Sequence, residues 1–185
     1  MNRKISGILC GLFLLCAFPA AGWGTVIGWT ETQPTGGANS KYWISVAMSS
    51  DGSKMLAAAN NGRVYLYSGG TWAETQPTGV TEDKQWFSVA MSSDGSKMLA
   101  AAFNGRLYLY SGGSWAETQP AGAADKPWNY VVMSSDGSKM LAAVAGGRVD
   151  LYSGGAWAGT QPTGGAENKN WASVANSGDG TKKVG

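Results

Sequence analysis

The side chains that could do chemistry recur at fixed places along the chain. Arg63, Arg106 and Arg148 number three, and each follows a glycine-containing turn and opens an alternating run. Asp51, Asp94, Asp136 and Asp179 each stand before a turn glycine. Tyr65 and Tyr108 occupy one register position, and Asp150 stands there in the next copy. Rings such as Tyr65, Tyr67, Tyr108, Tyr110 and Tyr152 could stack on sugars or pack on a protein, because a rigid ring gives contact area at low entropy cost. Tyr65, Tyr108, Asp150, Arg63, Arg106 and Arg148 are therefore the candidate ligand or partner surface. Packing in the core or between repeats competes for the tyrosines.

The exclusions are firmer. The chain has no His, and its 2 Cys, Cys10 and Cys16, lie near the start. Ser-His-Asp and Cys-His nucleophilic sites are thereby excluded, along with the usual zinc sites. No glycine-rich phosphate loop precedes a helix, and the Asp-Gly turns lack the dense Asp and Asn spacing of a calcium loop. No catalytic residue, cofactor or metal is expected. The four repeated aspartates read as turn residues, whose carboxylates bond the backbone ahead of them.

These residues sit on a repeat, and the repeat sets the architecture. Asp51, Asp94, Asp136 and Asp179 are spaced by 43, 42 and 43 residues, and Trp29, Trp72, Trp115 and Trp157 by 43, 43 and 42. Copies start near Trp43, Trp86, Trp128 and Trp171. In the first, Trp43, Ser45 and Ala47 alternate with Ile44, Val46 and Met48, the period of a strand. A Ser-Asp-Gly turn leads to an Ala-rich strand over 54–59, whose neighbours must approach closely. Asn60-Asn61-Gly62 is a hairpin turn. Strands over 63–67 and 72–76 follow, and Pro77 ends the last. Four short antiparallel strands per 42 or 43 residues make one propeller blade. The predicted fold is all-β and propeller-like, with about four blades: three complete repeats and partial terminal ones.

The text of the repeat also carries a resemblance. Tyr67-Ser68-Gly69-Gly70-Thr71-Trp72, with its copies ending at Trp115 and Trp157, resembles a shortened Asp-box that has lost its Asp. Together with Trp-x-Ser-Val-Ala-Met-Ser-Ser-Asp-Gly-Ser-Lys, it is similar to repeats of secreted bacterial propellers of the sialidase type and the photosystem assembly factor type. The resemblance implies that the Trp43 strand lies nearest the central channel and the Trp72 strand outermost. It also invites a glycosidase reading. That activity would need two carboxylates at a defined separation, and a sialidase would add an arginine triad and a Tyr–Glu pair. Arg63, Arg106 and Arg148 sit at the same place in each copy, so a copied surface residue explains them. A catalytic site needs different roles from different residues and should break the repeat. The breaks are Asp150, Gly159 in place of Glu74 and Glu117, Phe103, Val144, and the entry Pro127-Trp128-Asn129-Tyr130. None of them forms a recognisable acid–base pair.

Residues 1–22 read as a secretory signal: Arg3 and Lys4, an apolar run from Ile8 to Phe18, then Ala20-Ala21-Gly22. The expected domain covers 23–185, secreted, periplasmic or extracellular after cleavage near Gly22 and free of cysteine. Two of the 14 Lys and Arg fall in the leader, which leaves twelve against the 12 Asp and Glu. That balance gives no reason to expect a nucleic-acid partner. The last copy stops in mid-strand, which favours a truncated piece of a longer propeller over a compact ring. Unpaired edges invite pairing with a second copy. The function expected is a non-catalytic module presenting a binding or scaffolding surface to a protein or glycan. The alternatives are a fragment of a sialidase-like glycosidase and a truncated product without independent function.

Overall fold

The structure, a computed structural model, describes residues 32, 34, 41–80, 83–118, 120, 124–160, 162 and 168–185. The signal sequence and the outer strand expected over 29–33 lie outside the described residues, Thr32 apart. The architecture concerns the unit Gln33–Gly185.

Every regular element described is a strand, and the repeat maps onto blades. The first blade is β1 (Trp43–Met48), β2 (Met55–Gly62), β3 (Val64–Ser68) and β4 (Thr71–Thr75). The second is β5 (Lys84–Met91), β6 (Met98–Ala102), β7 (Leu107–Ser111) and β8 (Ser114–Thr118). The third is β9 (Trp128–Met133), β10 (Met140–Val144), β11 (Val149–Ser153) and β12 (Ala156–Thr160). A pair, β13 (Ala175–Asn176) and β14 (Lys183–Val184), trails them. Within each blade the strands pair antiparallel in chain order. The fold is all-β and propeller-like, as the period requires.

The expected Asn60-Asn61-Gly62 turn is present, with Asn61 at φ 52, but β2 runs through it. Asn60 and Gly62 pair with Gln85 and Lys84 of the next blade, so the turn is also a short ladder between blades. Gly105 and Gly147 make the equivalent single bridges to Lys126 and Lys169. A turn that must satisfy its backbone groups finds partners in the neighbouring connector.

The core lies between blades. One cluster joins Leu56, Ala58 and Val64 of the first blade to Trp86, Val89, Met98 and Tyr108 of the second. Another joins Leu99, Ala101 and Leu107 to Trp128, Val131 and Met140. The Ala-rich strands allow this close approach, and Ala58, Ala100 and Ala142 are fully buried. Each large side chain buried here stabilises by about 1.5–3 kcal/mol.

Blade is tied to blade at three radii. Innermost, the Val89 amide donates to Ser45 Oγ at 3.0 Å and the Val131 amide to Ser88 Oγ at 3.1 Å. These bonds place β1, β5 and β9 side by side. Outermost, Trp115 Nε1 donates to Thr75 Oγ1 and Trp157 Nε1 to Thr118 Oγ1, both at 2.6 Å. At the Ser-Asp-Gly turns, the amides of Ser50, Ser93 and Ser135 donate to the carbonyls of Ser93, Ser135 and Gly178 in turn.

Candidate functional site

The turn aspartates are structural. Asp51 Oδ1 accepts from Ser49 Oγ at 2.7 Å and from the Ser53 amide at 3.0 Å. Those bonds, the Ser49 hydroxyl first, lower the Asp51 pKa to about 2. Asp179 is lowered to about 2 in the same way, with Ser177 leading, and Asp94 and Asp136 fall well below the usual range. Lys54 Nζ then reaches the Gly95 carbonyl of the next turn at 3.0 Å, and Lys139 Nζ the Asp179 carbonyl. Both lysines pack where a Cβ on Gly95 or Gly180 would collide with them. Oδ1 of each of these carboxylates is engaged by its own turn.

The candidate residues Arg63 and Arg106 are clips. Arg63 Nε donates to Asp83 Oδ1 at 2.8 Å, and its Nη1 to Glu74 Oε1. Arg106 pairs with Asp125 through Nε and with Glu117 at 2.8 Å through Nη1. Each guanidinium thus joins its own outer strand to the connector that enters the next blade. Hydrogen bonds donated to Asp83, then to Glu74, raise the Arg63 pKa, and the bond to Asp125 leads the same shift at Arg106.

Tyr65 and Tyr108 are buried beside these clips, each 7% exposed. Tyr65 packs edge-on against Trp43, and Tyr108 against Trp86, at 5.5 and 5.6 Å between centroids. Lys41 Nζ lies 5.7 Å above the Tyr65 ring. The expectation that these two rings could stack on a ligand therefore needs correction: packing between inner strand and turn has taken them, and they offer almost no open face. Tyr67, Tyr110 and Tyr152 are half-buried and lean on Trp72, Trp115 and Trp157.

The third blade keeps the arginine, Arg148, but departs at three of the positions around it. Asp150 replaces the tyrosine, Gly159 the glutamate and Asn168 the connector aspartate. Asp150 is still buried, at 5% exposure, so it too is off the open surface. Its Oδ2 is buried and, among the described residues, has no hydrogen-bond partner. Burial raises the Asp150 pKa, partly offset by Lys126 and Arg148. Arg148 is exposed, and no described carboxylate clips it as Glu117 and Asp125 clip Arg106.

The missing side chains leave space. A cavity of about 550 Å³ is lined by Asp150, Arg148, Lys126, Gly159 and Asn168. Pro120, Pro127 and Val144 form apolar wall. Gly159 lies opposite Asp150 in the β11–β12 pair, and a Cβ there would sit 3.4 Å from Asp150 Oδ1. The site thus unites two of the six candidate residues, Asp150 and Arg148, and leaves Arg63 and Arg106 as structural clips. Lys126 and Asn168 were missed in the sequence. Aligning Asp83, Asp125 and Asn168 across the copies would have flagged the last. A second cavity of about 290 Å³, lined largely by apolar residues such as Leu141, Val149, Trp171 and Val174, belongs to the seam between the third blade and the trailing strands.

Among the described residues no group of three or more His, Cys, Asp or Glu could hold a metal, and no helix is long and apolar enough to cross a membrane.

No family model and no curated protein matches the sequence. Solved structures do match in fold. Kuenenia stuttgartiensis hydrazine synthase aligns with a TM-score of 0.58 at 17% identity, covering 84% of this chain and 44% of that one. YCF48 from Cyanidioschyzon merolae aligns at 0.50 and 13%, covering 64% and 37%. A YCF48 structure bound to D1 peptide aligns at 0.51 and 13%, covering 64% and 40%. The chain spans less than half of each of these proteins. At such identities the likeness shows the fold alone, and that fold is β-propeller-like.

Proposed function

We propose that this chain is a secreted or periplasmic, non-catalytic propeller module that presents a binding or scaffolding surface to a protein. One observation carries the reading. The polar groups copied from blade to blade are occupied by the fold itself: Asp51, Asp94 and Asp136 in their own turns, Arg63 and Arg106 in their clips. What remains for recognition is surface. A protein partner is favoured over a glycan because a structural neighbour, YCF48, is known bound to a peptide. The chain itself offers no open Tyr65 or Tyr108 ring for a sugar.

The test has two arms on the purified protein. Panning a displayed peptide library should enrich a shared motif that the free peptide competes away. Incubation with chromogenic glycosides and sialosides should give no turnover. Turnover would replace this proposal with the glycosidase alternative, and a failure to enrich any peptide would remove the protein partner. Mass analysis of the exported protein should show cleavage near Gly22; retention of residues 1–22 would overturn the secretion part.

A second copy of the chain is a further reading, favoured by one feature of β1. Val46 is 75% exposed and Met48 60%, whereas Val89, the counterpart of Val46, is buried on β5. Sedimentation should then show a concentration-dependent dimer, and a monomer at all concentrations would dismiss it.

A further inference from the structure

The third-blade cavity is a built site rather than a defect. Simple drift would be expected to leave a collapsed or solvated rim. Here three side chains of one cluster differ from their counterparts: Asp150 for tyrosine, Gly159 for glutamate, and Asn168 for aspartate. The result sets the Asp150 side chain in the wall of a cavity of about 550 Å³. That volume lies within the roughly 300–1,000 Å³ of small-ligand sites.

The charges around the cavity are ordered. Asp150 is the buried anion. Lys126 and Arg148 also line the cavity, and Arg148 is exposed. Arg148 and Asp150 are two residues apart on an extended segment, so their side chains leave one face about 7 Å apart at the backbone. In the first blade the lysine equivalent to Lys126, Lys41, lies over the Tyr65 ring; in the third, Asp150 stands at that ring's position. The cavity is therefore lined by one negative and two positive residues, with Pro127 and Val144 as apolar wall, and the Lys126 ammonium lies 5.9 Å above the Trp128 ring.

We propose that this cavity binds a small acidic α-amino acid of the aspartate or glutamate type. Its ammonium donates to the part of the Asp150 carboxylate that lines the cavity. Its α-carboxylate meets the planar fork of Arg148, the geometry guanidinium groups favour. Its side-chain carboxylate meets Lys126. Three lining charges are matched by three ligand charges of opposite sign, and charge-assisted hydrogen bonds of this kind are the strong ones. A neutral sugar would answer Asp150 but leave both cations unmatched. A simple dicarboxylate would answer the cations and leave Asp150 without a donor. The proposal stands apart from the protein-binding reading, since it rests on residues that the other blades lack.

Titration calorimetry on the full chain, with glutamate, glutarate, leucine and glucuronate as probes, tests it. Glutamate should bind saturably, and glutarate, which lacks the ammonium, at least roughly tenfold more weakly. Asp150→Asn should erase that difference, because it removes the group that reads the ammonium. Arg148→Gln, at an exposed position, should weaken glutamate by roughly tenfold while leaving the melting curve unchanged. The triple variant Asp150→Tyr, Gly159→Glu, Asn168→Asp rebuilds the second-blade rim, and it should fold and bind none of the probes. Equal affinity for glutamate and glutarate, a preference for glucuronate, or no saturable binding by the folded wild-type chain would each overturn the proposal.

Discussion

In the second blade Tyr108 faces Glu117 across the β7–β8 pair; in the third, Asp150 faces Gly159 at the same register. Around the first pair, Arg106 is held by two carboxylates and the tyrosine ring is packed on Trp86. Around the second, Arg148 stands at a cavity and Asp150 Oδ2 is unsatisfied. Deeper in, the two blades are alike. Trp86 and Trp128 are 1% and 2% exposed, and Met98 and Met140 are fully buried or nearly so. The duplicated core keeps both blades folded.

The largest expected effect tests the shared half of this comparison. Trp86→Ala and Trp128→Ala should each cost about 3–5 kcal/mol in a urea melt, because each empties a filled cluster between blades. Unequal losses, differing by more than about 1.5 kcal/mol, would show that the cores are not equivalent. Trp115→Ala should cost less, since that ring is half-buried and holds the previous blade through one hydrogen bond to Thr75.

Acid should next separate the copied aspartates from the one that differs. Asp51 and Asp179 have folded pKa values lowered to about 2, below the ordinary 3.8, and Asp94 and Asp136 are lowered further. A lowered carboxylate stabilises the fold above its unfolded pKa, and that contribution is lost as pH falls through the folded value. Stability should therefore drop between about pH 4 and pH 2. Ser49→Ala, which removes the leading bond to Asp51, should weaken that dependence in the first blade. Asp150 has the opposite sign. Its raised pKa favours the fold below the ordinary aspartate range and penalises it as pH rises through the folded value. Asp150→Asn should accordingly stabilise at neutral pH by on the order of 1 kcal/mol, and the gain should vanish in acid. A destabilised Asp150→Asn at neutral pH would mean that Asp150 is already paired.

What the sequence revealed follows from the range of each interaction. Blade order and the turn role of Asp51 depend on residues a few positions apart, and the period exposes them. The clips do not: Arg63 reaches Glu74 and Asp83, 11 and 20 residues on, in two different segments. Three matching arginines therefore read as surface, although two of them are fastened. The burial of Tyr65 and Tyr108 was hidden for a similar reason, since strand alternation does not say which face a neighbouring blade covers. Asp150 and Gly159 were visible as breaks in the copy. That they face each other required the β11–β12 register.

The smallest effects decide whether the two rims are units or collections of single changes. Glu117→Gln removes one partner of Arg106, but the pair is well solvated, with 44% of the glutamate side chain exposed. A loss of at most about 1 kcal/mol is expected. The reciprocal change, Gly159→Glu, does not simply restore that energy. It puts a second carboxylate opposite Asp150, and its Cβ would sit 3.4 Å from Asp150 Oδ1. Like charges directly opposite on paired strands repel. Alone, then, Gly159→Glu should destabilise; with Asp150→Tyr in place, the same glutamate gains a ring to pack against and Arg148 to bond. The double-mutant cycle should show a favourable coupling of at least ~0.5 kcal/mol. Additive losses would mean that the tyrosine and glutamate of the second blade are independent neighbours, and that the third-blade rim changed one residue at a time without consequence for its partner.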